Sequence, residues 1–118
     1  MDYAVLLYGD ETRWDRAEPA ERTAAYADHN EFARLLTEGG HEIIGGAELR
    51  PTRQAKTVRG TSDEFTVTDG PFAETAEQLG GFYLVRTDNP DDLYRLVAML
   101  SGGEPIEVRP VVPGEEQV

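Results

Sequence analysis

Apolar residues in this chain come either in short continuous runs or at helical spacing, and the two patterns lay out its elements. Tyr3 to Tyr8 (Tyr-Ala-Val-Leu-Leu-Tyr) is rich in Val, Leu and Tyr, is closed by Gly9-Asp10, and predicts a strand. Glu11 to Ala17 is a charged connection that carries the single tryptophan, Trp14. Pro19 suits a first helical turn. From there Ala25, Tyr26, Phe32, Ala33 and Leu36 keep helical spacing to about Glu38, where Gly39-Gly40 stops the helix. His29 falls on the same stripe. The cap position holds Glu18, a weaker N-cap than Ser, Thr or Asp.

Beyond the first helix, His41 to Gly46 predicts a second strand, with His41 at the surface beside Glu42. Lys56 to Arg59 and Phe65 to Thr68 read as a hairpin turning through Gly60-Thr61-Ser62-Asp63. Asp69-Gly70-Pro71 breaks the chain, and Glu74 to Gln78 predicts one helical turn before the apolar strand Gly81 to Arg86. Asn89-Pro90-Asp91-Asp92 opens a helix with a cap, a first-turn proline and two acids at the positive end of the dipole. Leu93, Leu96, Val97 and Leu100 give it a core-facing stripe, and Gly102-Gly103 ends it. Ile106 to Val112 is the last predicted strand, and 113–118 a loose tail.

The order β-α-β, hairpin, β-α-β predicts an α+β fold: a ferredoxin-like sheet with two long helices on one face. The strands 3–8 and 82–85 are apolar on both parities, a pattern that asks for cover on both faces of the sheet. Two helices supply one cover. A second copy of the chain is the economical other one, so a homodimer is expected.

With 118 residues the chain has length for one domain, 1–118, and for one core. It has no cysteine, which excludes disulfides, a thiolate nucleophile and cysteine-ligated metals. The net charge of −12 argues against direct nucleic-acid binding and against an anionic membrane. That charge is uneven, with residues 1–59 carrying net −3 and residues 60–118 net −9. The first residues lack the basic start of a signal peptide and no run is long enough to span a bilayer, so a cytoplasmic location is expected.

A block of sequence then narrows the field. Thr68-Asp69-Gly70-Pro71-Phe72-Ala73-Glu74, continuing to Glu77-Gln78-Leu79-Gly80-Gly81-Phe82-Tyr83, closely resembles the DGPF-type branch of the YciI-related family. The opening Leu6-Leu7-Tyr8-Gly9-Asp10-Glu11 with Trp14, the mid-helix Asp28-His29-Asn30-Glu31-Phe32 and the ending Glu107-Val108-Arg109-Pro110 also fit, so the likeness spans nearly the whole chain. The weak cap at Glu18 is the one departure. The resemblance implies a ferredoxin-like fold that dimerises into an α+β barrel, and a His–Asp pair suggestive of enzymatic function, here His29 and Asp69. A related member is similar to a dehydrochlorinase of chlorinated hydroxyquinols. Some DGPF-type members are fused to, or associated with, sigma-70-type transcription factors.

The residues themselves leave two readings of the pair. A histidine on an apolar stripe needs partners for its ring nitrogens. Asp69 would supply one, fix the tautomer and make His29 a general acid or base. The bland reading is a satisfied core histidine, with Asp69 starting a turn or capping the turn 72–78. Trp14 and Phe72 are candidate substrate-binding walls, or simply packing. Arg50, Arg53, Lys56 and Arg59 form the basic stretch and read as a solvated strand edge. The spacings offer no metal site, phosphate loop or serine nucleophile elbow. Two functions stay open: a small cofactor-free enzyme doing elimination, isomerisation or lactone-type chemistry on a small organic substrate, and a ligand-binding or regulatory module associated with sigma-factor-type proteins.

Overall fold

The first strand sits at the centre of everything that follows. In a computed structural model describing residues 1–114, β1 (Asp2–Gly9) pairs with β5 (Gln78–Arg86) on one side and β6 (Ile106–Pro110) on the other. With β2 (Glu42–Glu48) on the outer edge of β5, the sheet runs β2-β5-β1-β6 with every neighbour antiparallel, the ferredoxin-like order. β3 (Lys56–Gly60) and β4 (Phe65–Asp69) form a separate two-stranded arm between β2 and β5.

Three helices accompany the strands. α1 (Glu11–Asp15) occupies the expected charged connection, its start fixed by the Asp10 carboxylate, which accepts from the Thr12 and Arg13 amides. Local capping, rather than any apolar period, makes this turn. α2 (Pro19–Glu38) keeps the expected bounds, and Glu18 makes no side-chain cap hydrogen bond. α3 (Pro90–Val97) is capped by Asn89 and runs into a 3-10 turn, Ala98–Leu100.

One parity of the central strands and one stripe of each long helix make the core: Tyr3, Val5 and Val85 against Phe32, Leu36, Leu93, Leu96 and Val97. Both long helices therefore share one face, as the pattern predicts. The other parity, with Ala4 opposite Leu84 and Leu6 opposite Phe82, forms the second face, and these four residues are half-buried.

Four expectations are corrected. No helical turn forms at 74–78: the Thr75 hydroxyl and Gln78 amide bond to nearby carbonyls, an alternative to helix, and β5 begins at Gln78. β6 stops at Pro110 rather than Val112, although the Val111 amide still donates to the Asp2 carbonyl. Tyr26 is 47% exposed, because its hydroxyl reaches out to Glu48. His41 is buried rather than superficial: Nδ1 pairs with Thr87 Oγ1 at 2.6 Å and Nε2 donates to Asp92 at 2.7 Å. Those partners are 46 and 51 residues away, so only the fold could supply them. The expected tail begins with exposed Pro113 and Gly114; 115–118 lie outside the described residues.

The arm stands clear of this body. All five residues of β4 are exposed, with Val58, Phe65 and Val67 each more than half exposed. The radius of gyration is 16.5 Å, well above the roughly 13.5 Å of a compact chain of this length.

Candidate active site

Where β1 ends, a bulge opens the sheet. Leu7 faces Gly81 while Tyr8 faces Leu79, leaving Gly80 without a partner on β1. Beside it, Gly46 has φ +148, and a Cβ there would lie 2.6 Å from the Phe82 carbonyl oxygen. Only glycine fits that approach. α1 crosses above, tied down by Glu11, whose carboxylate accepts from the Thr52 amide and hydroxyl at 2.8 and 2.6 Å. Between α1, the first half of α2, the bulged strand ends and the 46–51 segment lies a cleft of about 890 Å³.

His29 and Trp14 line this cleft. Trp14 meets Tyr26 edge-on, centroids 5.8 Å apart, and the Arg22 guanidinium sits over the indole at 5.4 Å. Arg22 also donates to the Trp14 and Asp15 carbonyls, clamping the end of α1 onto α2. Across the cleft, the Tyr26 hydroxyl donates to the Glu48 carboxylate at 3.0 Å, and that bond pushes the phenol's pKa up.

The half-buried His29 Nδ1 pairs with the Tyr83 hydroxyl at 2.7 Å. The two rings are nearly parallel, 25° apart with centroids at 5.9 Å. Burial lowers the His29 pKa, against weaker opposing pulls from Asp28 and Glu48. Burial also raises that of Tyr83. The result is a neutral imidazole at neutral pH, with Nε2 free of any hydrogen-bond partner among the described residues. Such a ring can give or take a proton, or donate a hydrogen bond to a bound oxygen.

Asp69 is elsewhere. It ends β4 on the arm, its side chain 84% exposed and ion-paired with Lys56, which lowers its pKa. Within one chain, then, His29 bonds Tyr83 and Asp69 bonds Lys56. Phe72 is 80% exposed and lines no part of the cleft. Of the basic stretch, Arg50 lines the cleft, Arg53 pairs with Asp15 at 3.0 Å, and Arg59 reaches the Phe72 carbonyl.

Sequence reasoning missed Tyr83, Tyr26 and Glu48. For Tyr83 a signal existed. It shares its strand parity with Val85, so a polar-tipped aromatic ring faces the same core as His29, and each has a polar atom needing a partner.

An antiparallel ferredoxin-like sheet with both long helices on one face, a cleft at its bulged end and an imidazole in the cleft wall define a small α+β protein with a single-layer sheet and an open cleft. The match to the YCII-related domain covers residues 1–113. An uncharacterized protein of Rhizobium meliloti (strain 1021) is 38% identical over 122 residues, covering 98% of each chain. The chain belongs to the YCII-related domain family. Among the described residues, no helix is long and apolar enough to cross a membrane.

Proposed function

We propose that this protein is a small cytoplasmic enzyme working without a cofactor, in which His29 moves a proton on a small organic substrate held in the cleft. One observation carries the reading. A half-buried, neutral histidine lines a cleft of about 890 Å³ with one ring nitrogen left for a ligand. That volume suits a single small organic molecule. Trp14 and Tyr26 offer it aromatic surface. Elimination, isomerisation and lactone opening each need only acid–base help, which one imidazole supplies.

The protein acts as a homodimer in this proposal. Support comes from the apolar second face of the sheet and from the arm. On the arm, Val58 faces Val67 and Lys56 faces Asp69 along one side of the ribbon. A second copy packed on that side would cover Val58, Val67 and Asp69 together. Asp69 then enters the chemistry of the DGPF-type His–Asp pair through the partner, rather than through its own chain.

The test is a screen of small hydroxylated and carbonyl-bearing compounds, following amide shifts at the cleft and turnover together. For a substrate found this way, His29→Ala should cost about 100-fold or more in turnover while the fold, read by circular dichroism, is kept. Compounds that bind and are never converted would instead favour the ligand-binding or regulatory module, with sigma-factor-type partners as its context.

A further inference from the structure

We infer that Tyr83 is the positioning residue of His29: its phenol O–H donates to Nδ1 and fixes the imidazole as the tautomer whose Nε2–H is offered to a carbonyl or oxyanion oxygen in the cleft. This rests on reading the cleft as the functional site. It goes further by assigning the proton and the chemistry of the ligand atom that His29 meets.

The assignment follows from counting protons. A phenol has one proton to give, and an imidazole nitrogen either carries a proton or accepts one. Tyr83 Oη has no second hydrogen-bond partner among the described residues besides His29 Nδ1, 2.7 Å away. A phenol O–H is a stronger donor than an imidazole N–H, and an imidazole nitrogen a stronger acceptor than a phenol oxygen, so across 2.7 Å the O–H···Nδ1 sense is favoured. With O–H donating to Nδ1, both groups are satisfied, and the ring's remaining proton sits on Nε2.

The geometry holds this arrangement from behind. Tyr83 is packed against the fully buried Phe32, centroids 5.2 Å apart at 55°, so the phenol is gripped by the core. β5 carries Tyr83 and α2 carries both Phe32 and His29, a turn apart, so the donor and acceptor sit on elements locked by the same packing. The charged groups acting on His29 are Asp28 on its own helix and Glu48 at the end of β2. Glu48 is already engaged by the Tyr26 hydroxyl. Neither carboxylate is hydrogen-bonded to the imidazole among the described residues, which leaves Tyr83 as the group that orients it.

The consequence is a division of labour. In the resting state His29 is a donor, suited to polarising a carbonyl or steadying negative charge that develops on oxygen.

The experiment is nitrogen-15 and proton NMR of the histidine rings in the free protein. At neutral pH His29 should show an unprotonated, hydrogen-bonded Nδ1, a protonated Nε2, and a slowly exchanging Tyr83 hydroxyl proton correlated with Nδ1. Tyr83→Phe should abolish that proton signal. Because the lost donor favoured the neutral ring, the His29 pKa should rise by about 0.5–1 unit, the equivalent of one hydrogen bond. If that variant does not fold, 3-fluorotyrosine at position 83, a more acidic donor of nearly the same shape, should move the His29 pKa down. A proton found on Nδ1, or a His29 pKa unmoved by either change, overturns the assignment. Proton placement is read without ligand, so it can stand while a fruitless substrate screen sinks the enzyme reading. Conversely, turnover that needs His29 with the proton on Nδ1 sinks only this inference.

Discussion

Two histidines in this chain face opposite fates, and their surroundings decide which. His41 has both ring nitrogens engaged, by Thr87 and Asp92, and Asp92 is further held by Arg95 at 2.8 Å. That ring bolts the start of β2 to the end of β5 and the first turn of α3. His41→Ala should cost about 2–4 kcal/mol in chemical denaturation, through the cavity and the polar groups left unpaired. His29 has one nitrogen engaged and one spare, and burial keeps its pKa below the ordinary 6.5. The unfolded chain therefore takes up that proton first as pH falls. Its contribution to stability is whole above 6.5 and fades as pH drops through the folded-state value. His29→Gln should flatten the pH dependence of unfolding in that window, measured by urea titration at a series of pH values.

At the scale of elements, capping and backbone constraint do more than apolar period. α3 owes its sharp start to Asn89, whose side chain accepts from the Asp92 amide. Asn89→Ala should lower stability by about 1 kcal/mol, seen as a shifted denaturation midpoint with an unchanged slope. The cleft depends on β2 coming close to β5 at Gly46. Gly46→Ala should push the strands apart there, because its Cβ would collide with the Phe82 carbonyl oxygen. The expected signature is faster amide exchange along the β2 and β5 ends with the α3 core still protected. The arm is the opposite case, a two-stranded ribbon with little packing of its own, and such ribbons are marginal in water.

For the whole molecule, the question is what covers the second face of the sheet and the arm. With homodimerisation as the answer, sedimentation should give twice the mass of one 13.1 kDa chain. Val67→Asp, placed on the exposed side of the arm, should shift that equilibrium toward monomer while leaving the circular dichroism of the body intact. A monomeric wild type at high concentration would remove the second copy, and with it any route from Asp69 to His29. The net charge of −12 makes two copies repel, so added salt should tighten the dimer.

Much of the fold was written along the chain. Short continuous apolar runs bounded by glycine and turn residues placed the sheet strands, the stripe of α2 placed Phe32 and Leu36 in the core, and Asn89-Pro90 marked α3, because each signal is local and needs only neighbours a few residues away. The block around Asp69, together with the opening, mid-helix and closing segments, likewise pointed to the YCII-related family that the match over residues 1–113 shows. The sequence by itself put His29 on a helix face that turns inward. It could not say which group waits there, because hydrogen-bond partners of a buried ring come from distant strands: Tyr83 lies 54 residues away, and Thr87 and Asp92 reach His41 over similar spans. The family resemblance offered Asp69. Within one chain the tertiary structure sets Tyr83 beside His29, since β5 runs beneath α2 at the sheet's centre while β4 carries Asp69 away on the arm.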